Sequence, residues 1–125
     1  MTDPIYKELS FKLNGLAFEV YKTLGEGLRE SVYANAYEEL LKRDGLKYQR
    51  ELYYPITING KIVGKYYFDF LVEDKIVVEI KVGNFKYYQA YTQLYEYLKL
   101  SKCELGLIIR FTMDGAVVKR VVNLY

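Results

Sequence analysis

Two acidic residues and a lysine interrupt apolar segments near the middle of the chain. Asp69 lies between two phenylalanines, and Glu79 and Lys81 alternate with apolar residues in the segment 76–82. Alternate residues of an extended strand share a face, so Glu79 and Lys81 are predicted to point the same way. Isolated buried charges are unfavourable and are normally paired with an opposite charge or bound to a metal ion. These residue types predict a carboxylate-rich site with a cation beside it.

Whether Asp69 meets Glu79 depends on the turn between their strands. If Glu73-Asp74-Lys75 is a three-residue loop, Asp69 lies directly opposite Glu79, whereas a two-residue loop without a bulge puts them on opposite faces. Opposed side chains lie within about 5.5 Å at Cβ. Two carboxylates that close raise each other's pKa unless a cation intervenes, and Mg²⁺ or Mn²⁺ is the natural oxygen-ligated ion. The alternative is an ion-pair cluster of both acids with Lys81 and no metal.

Composition excludes several other kinds of site. The chain has 125 residues, no histidine and one cysteine, so it lacks a Ser-His-Asp triad, a Cys-His pair and the ligands of a zinc or iron–sulfur centre. Its length fits a single domain over residues 1–125, and its net charge of +2 indicates no strong overall field. The lone Cys103 and the absence of a signal-like or membrane-spanning apolar run lead us to expect a cytoplasmic protein without membrane contact.

The two N-terminal segments have helical periodicity. A first helix is predicted from Pro4 to Leu24, and Gly25-Glu26-Gly27 breaks it. The second helix has its predicted apolar stripe at Leu28, Val32, Ala36 and Leu40, and Asp44-Gly45 ends it.

The rest of the chain predicts a sheet with one further helix. The predicted strands are Tyr48 to Ile58, Lys61 to Val72, Ile76 to Val82, Leu105 to Phe111 and Val117 to Val122, with a hairpin turn at Asn59-Gly60. The helix runs from Phe85 to Leu100 and is expected to bury Tyr87, Tyr91, Leu94, Tyr95 and Leu98. A strand–helix–strand connection implies a parallel pair, so we expect an α/β fold with a mixed central sheet flanked by helices.

This arrangement resembles the PD-(D/E)XK nuclease superfamily, whose restriction-endonuclease-like core has the order α-β-β-β-α-β. Asp69 in one strand and Glu79-Ile80-Lys81 in the next carry the resemblance. More closely, the chain is similar to the GxxExxY family, whose motif stands here as Gly27-Leu28-Arg29-Glu30-Ser31-Val32-Tyr33. The similarity extends from about Leu9 to Phe111. Members of this family often carry Asn before the Phe of the penultimate strand, where this chain has Arg110.

The resemblance implies a metal-dependent nuclease that hydrolyses DNA phosphodiester bonds with Mg²⁺ or Mn²⁺. Asp69, Glu79 and the backbone carbonyl of Ile80 would be metal ligands, and Lys81 would orient or activate the attacking water. Glu30 would contribute to the metal shell directly or through water, with Tyr33 supporting it. The alternative for Glu30 is an acid in the first turn that complements the helix dipole.

Gln93 and Tyr97 match the Gln-x-x-x-Tyr motif of RecB-like nucleases. Their i, i+4 spacing predicts a shared helix face, from which the amide would bind a phosphate or the attacking water. The alternative is a polar edge beside the apolar stripe of the helix.

The 15 tyrosines permit two interpretations. They could stack on single-stranded bases, but a role in the core and the sheet is favoured, because tyrosine is a good strand residue. The tyrosines considered are Tyr53, Tyr54, Tyr66, Tyr67, Tyr87, Tyr88, Tyr91 and Tyr95.

Two other functional classes remain open. One is a nucleic-acid-binding module that keeps the fold without the reaction, and the other is a structural component that dimerises. A homodimer would also let a small nuclease reach two strands.

Overall fold

The computed structural model of the chain describes residues 6–83 and 87–123. The described elements, in chain order, are α1 (Lys7–Leu24), α2 (Glu30–Arg43), β1 (Tyr48–Ile58), β2 (Lys61–Val72), β3 (Ile76–Val82), α3 (Tyr87–Ser101), β4 (Leu105–Thr112) and β5 (Gly115–Val122). Pro4 and Phe85, the predicted first residues of two helices, lie outside the described residues. Within the described ranges, none of the helices has the length and apolar character needed to cross a membrane.

The five strands form one mixed sheet in the order β1-β2-β3-β4-β5. Only β3 and β4 run parallel, and α3 connects them. The other neighbouring pairs are antiparallel, as their short connections require. The predicted α/β fold with a mixed sheet flanked by helices is confirmed.

Each face of the sheet has its own hydrophobic core. One core packs α1 and α2 against the sheet and contains strand residues such as Phe70, Val78, Ile80 and Phe111. The other packs α3 against the opposite face through residues such as Val77, Leu94 and Ile108. Val77 shares its strand face with Glu79 and Lys81, so the predicted acidic site opens towards the α3 side of the sheet.

The second helix begins later and buries a different stripe than its apolar spacing predicts. Leu28 precedes the helix, which starts at Glu30. The buried residues are Tyr33, Ala34, Tyr37 and Leu41, while the predicted positions Val32, Ala36 and Leu40 are only half-buried. The two tyrosines present more apolar area than the residues beside them, and this larger burial rotates the helix by about one position.

The prediction for the third helix was wrong at two positions. Tyr95, expected in the core, is 39% exposed, whereas Tyr97, expected on an accessible face in both of its interpretations, is 4% exposed. Leu94 and Leu98 are fully buried as predicted. A stripe formed by Leu94, Tyr97 and Leu98 follows the i, i+3, i+4 pattern, and the aromatic neighbours of Tyr97 on β1 and β2 fix this choice.

The β1–β2 hairpin changes its orientation next to Asp69. Asn59 and Gly60 form its turn with φ angles of 51° and 76°, as a type I′ turn requires. Phe70 packs on the α1/α2 side and Phe68 on the α3 side, although residues two apart normally share a face. Opposite this point Glu51 has a left-handed φ of 59°, which interrupts the pleat. Asp69 therefore lies at a bend in its strand.

Candidate active site

The predicted contact between Asp69 and Glu79 forms at the β2–β3 fork, the point beyond Phe70 and Val78 at which the two strands stop pairing. Regular pairing ends at Phe70↔Val78, and the three-residue loop sets the predicted register. Side chains then replace the ladder: the Asp69 N–H donates to Glu79 Oε1 at 3.1 Å, and the Ile80 N–H donates to Asp69 Oδ2 at 2.7 Å. Glu79 thus accepts from the backbone of Asp69, and Asp69 accepts from the backbone of the residue after Glu79. These two hydrogen bonds hold the carboxylates next to each other.

This interlocking leaves one oxygen of each carboxylate without a backbone donor from the described residues. The free Oε2 of Glu79 lies 3.7 Å from Lys81 Nζ. The Glu79 and Lys81 side chains are only 16% and 29% exposed. The contact is thus partly shielded from water, which strengthens it relative to a surface pair whenever Glu79 is ionised.

One ammonium does not offset the negative charge of the pair. Burial, the side-chain hydrogen bond to Asp69 and the charge of Asp69 together raise the pKa of Glu79 to about 9, against the smaller lowering effects of Lys81 and the Asp69 backbone. At neutral pH Glu79 therefore holds a proton in the absence of another cation.

Glu30, in the first turn of α2, lies within electrostatic range of Asp69 and Lys81. Its side chain is exposed, yet burial raises its pKa, the charge of Lys81 lowers it and the charge of Asp69 raises it. These effects of Asp69 and Lys81 on Glu30 indicate that the fold brings the start of α2 within electrostatic range of the fork. Its position at the start of the helix also complements the helix dipole, as the alternative interpretation holds.

The rest of the Gly27–Tyr33 motif fixes the loop that precedes Glu30. Gly27 has a φ of 84°, which favours glycine. Tyr33 is fully buried and its ring stacks on Phe111, with centroids 4.3 Å apart. The Tyr33 hydroxyl donates to the Gly25 carbonyl at 2.6 Å and accepts from the Leu28 N–H at 3.3 Å. Tyr33 thus holds the loop that leads to Glu30.

Gln93 and Tyr97 do not share a surface. Gln93 is exposed on α3 and forms no hydrogen bond with the residues the structure describes. Tyr97 is buried, with its ring 5.0 Å from that of Tyr54 and 5.1 Å from that of Phe68. Burial raises the pKa of Tyr97 to about 12, so its phenol stays neutral. Its contact with Phe68 makes it a support beneath the strand that carries Asp69.

Comparison with known protein families identifies the fold. The family model described as the PD-(D/E)XK nuclease superfamily matches residues 7–121. This chain belongs to the PD-(D/E)XK nuclease superfamily. The solved structure titled "Crystal structure of SSO0001" is similar with 22% sequence identity and a TM-score of 0.58, over 76% of this chain and 50% of that one. This likeness supports the fold, and the chain spans half the length of that protein. No curated protein matches.

PD-(D/E)XK nucleases generally use divalent metal ions, and the oxygens at the fork fit such an ion in part. Asp69 and Glu79 offer carboxylate oxygens, and Ile80 adds a nearby carbonyl; hard divalent ions bind such donors. Within residues 6–83 and 87–123 no group of three or more acidic, cysteine or histidine residues is arranged as a metal cluster. An ion at the fork would therefore complete its shell with water or substrate, as Mg²⁺ commonly does.

Arg110 lies beside Lys81, although the sequence suggested no role for it. In the parallel ladder its Cα partner is Lys81, so the two cations lie side by side on adjacent strands. Lys81 and Arg110 each occupy the sixth position of their strand's paired segment. This match indicates that they are neighbours only once the register between β3 and β4 is known.

Of the eight tyrosines, half pack in the core and half are exposed. Tyr54, Tyr66, Tyr87 and Tyr91 pack against the α3-side core, as favoured. Four others are exposed: Tyr53 by 43%, Tyr67 by 60%, Tyr88 by 81% and Tyr95 by 39%. Tyr53 and Tyr67 form a pair on the hairpin, with ring centroids 5.0 Å apart.

Proposed function

We propose that this protein is a GxxExxY-type nuclease that uses Mg²⁺ or Mn²⁺ to hydrolyse phosphodiester bonds of DNA at the β2–β3 fork. The reciprocal hydrogen bonding of Asp69 and Glu79, with Lys81 3.7 Å from the free Glu79 oxygen, is the observation that carries the proposal. An ion-pair cluster alone would set one ammonium against two carboxylates, of which Glu79 then keeps a proton at neutral pH. A divalent cation would let both carboxylates ionise.

The two carboxylates and the Ile80 carbonyl would hold the ion. When bound, it would polarise the phosphate and lower the pKa of a water molecule. The backbone bonds to Asp69 Oδ2 and Glu79 Oε1 fix both carboxylates before any ligand arrives. Such preorganisation removes the entropic cost of collecting the ligands when substrate binds.

Lys81 acts on the substrate from the same face. In the reaction, the oxygen of water bonds to phosphorus, the bond to one ester oxygen breaks, and that oxygen takes up a proton while the water loses one. The Lys81 ammonium donates a hydrogen bond to a non-bridging phosphate oxygen and offsets the charge that develops there. With no histidine in the chain, no imidazole takes part in these proton transfers.

Glu30 and Gln93 have outer roles in this proposal. Glu30 stands within electrostatic reach of Asp69 and Lys81, where it would accept hydrogen bonds from waters around the ion. Gln93 is exposed on α3 and would reach a phosphate only once DNA is bound. Substitution of Gln93 should therefore affect binding more than turnover.

The test is cleavage of plasmid and labelled oligonucleotides with Mg²⁺ or Mn²⁺ by wild type, Asp69→Ala and Lys81→Ala. Asp74→Ala and Lys75→Ala are matched controls, because both residues are exposed in the nearby β2–β3 loop. We expect at least a ~100-fold loss for the first two variants, as for loss of one transition-state donor, and none for the controls. Equal cleavage by wild type and Asp69→Ala would identify a contaminant and overturn the assignment.

Metal binding is measured separately by calorimetric titration with Mn²⁺. Wild type should bind the ion, Asp74→Ala should bind equally, and Asp69→Ala should not bind. Absence of binding to wild type would favour the ion-pair cluster over a metal site. Sedimentation over a range of concentrations tests the proposed homodimer, and a strict monomer would exclude it.

A non-catalytic nucleic-acid-binding module is the second candidate, and the β1–β2 hairpin favours it. Residues 52–68 contain two lysines and no acidic residue. They present the exposed Tyr53–Tyr67 pair, with Lys65 Nζ 5.9 Å from the centre of the Tyr67 ring. Such a surface suits stacked bases, each worth about 1–3 kcal/mol. Wild type that binds single-stranded DNA through Tyr67 but never cleaves it would support this candidate.

A further inference from the structure

We propose that Arg110 holds a backbone phosphate of the nucleic acid next to the one at the fork, and so sets where the strand lies. The inference rests on the proposed function, because it concerns the substrate of that site. It assigns Arg110 as a positioning residue that contacts no base and takes no part in bond breaking.

Strand pairing aligns Arg110 in a row of three cations on the α3 side of the sheet. Arg110 pairs with Lys81 of β3, and adjacent strands lie about 4.8 Å apart. On its other side, β5 carries Lys119, whose Cα partner is Ile108, two residues before Arg110 and therefore on the same face. The row of Lys81, Arg110 and Lys119 thus crosses three adjacent strands, and Lys81 lies next to Glu79.

The Arg110 guanidinium lacks an anion within the described part of the chain. Its Nε is buried without a hydrogen-bond partner, and it takes part in no ion pair there. Lys119 also forms no ion pair within the described part of the chain, and its Nζ lies 5.5 Å from the centre of the Tyr87 ring. A buried Nε–H group that donates to nothing is unfavourable on its own, and an anionic ligand that accepts from it would remove that cost.

A cavity beside Arg110 gives such a ligand room. It has a volume of about 440 Å³ and opens to solvent. It is lined by Gly83, Arg110, Thr112, Met113, Asp114 and Val117. Asp114 is the one acid among them, and it is an exposed residue of the β4–β5 turn. The planar guanidinium of arginine can donate two hydrogen bonds to the two oxygens of a phosphodiester. A phosphodiester therefore suits both the cavity and the positive charge beside it.

The order of the cations in the row assigns one phosphate to Lys81 and the neighbouring phosphate to Arg110. Lys81 adjoins the carboxylates and serves the reacting phosphate, whereas Arg110 is one strand further from them. A contact of this kind fixes register and orientation and carries no sequence information. Arg110 should consequently contribute to the affinity for any DNA sequence.

Fluorescence anisotropy with a labelled oligonucleotide, without divalent ions and at several KCl concentrations, tests this role. The variants are Arg110→Ala, Arg110→Lys and the control Lys99→Ala, an exposed cation in the last turn of α3. Loss of one phosphate contact should weaken binding about tenfold at 0.1 M salt and flatten the logarithmic salt dependence by about 0.7–0.9. Arg110→Lys should keep the wild-type slope with weaker binding, and Lys99→Ala should match wild type.

Two outcomes separate this inference from the proposed function. If wild type cleaves DNA but Arg110→Ala retains the wild-type affinity and salt slope, the inference is wrong and the nuclease proposal stands. If wild type never cleaves DNA but Arg110→Ala loses one contact from its slope, the nuclease proposal fails and the phosphate site stands. In a cleaving enzyme, Arg110→Ala should raise KM about tenfold with kcat little changed. Should Arg110→Ala fail to fold, an affinity of Arg110→Lys equal to that of wild type would overturn the inference.

Discussion

The contact between α3 and the sheet depends on a glycine, and Gly106→Ala tests this directly. Gly106 lies in β4, paired with Val77 and Val121, and is buried beneath Leu94 of α3. A methyl group added at Gly106 would lie 2.8 Å from Leu94 Cδ2 and 2.9 Å from Cγ. Carbon atoms in contact prefer about 3.5–4.0 Å. Leu94, which is fully buried, would have to move by roughly 0.7 Å, and α3 with it.

The expected cost follows from two opposing effects. Forcing extra volume into a packed core costs about 1–3 kcal/mol. Replacing glycine by alanine lowers the entropy of the unfolded chain and returns about 0.4–1 kcal/mol, because the φ angle of Gly106 is not left-handed. We therefore expect Gly106→Ala to lower the free energy of unfolding by about 1–2 kcal/mol. For a chain of this length the melting temperature should fall by roughly 3–10 °C.

Urea unfolding of Gly106→Ala, Leu94→Ala and the double variant measures the effect and its cause. Leu94→Ala should cost about 2–5 kcal/mol alone, and adding Gly106→Ala to it should cost nothing further, because the clashing atoms are gone. Gly64→Ala is the matched control, since its new methyl would meet only Ile56 Cδ1, at 3.4 Å. An equal penalty for Gly106→Ala with and without Leu94 would refute the steric explanation.

Two further predictions concern the loop before Glu30 and an ion pair at the end of α2. Tyr33→Phe keeps the stacked ring but removes the hydrogen bonds to Gly25 and Leu28, so the free energy of unfolding in urea should fall by about 1–2 kcal/mol; no change would contradict the role of the hydroxyl. Hydrogen bonds from Arg43 and Lys12 lower the pKa of Asp44 from its ordinary 3.8 to about 2. Because the folded state has the lower pKa, this stabilisation is present above pH ~4 and is lost as the pH falls towards ~2. Asp44→Asn should flatten stability over that interval, and an unchanged pH dependence would count against the ion pair.

Much of the fold could be predicted because its signals are local. The apolar spacing, the Asn59-Gly60 turn and the glycines after the first helix each depend on a few neighbouring residues. Side-chain burial was less predictable: Tyr95 and Tyr97 differ by only two positions in one helix, yet one is exposed and the other buried. Their fates depend on rings supplied by β1 and β2, which local spacing does not contain.

For the candidate site, the sequence by itself determined the chemistry available: two carboxylates and a lysine on adjacent strands, with no histidine to share their work. It also limited the contact between Asp69 and Glu79 to two alternatives, which differ by one residue in a turn. Only the tertiary structure chose between them, because pairing register is set by hydrogen bonds between strands. The same is true of Glu30 and Arg110, which lie far from Asp69 in sequence. Helix packing and the β3–β4 ladder bring them to the fork, and contacts at that separation are decided by the whole fold.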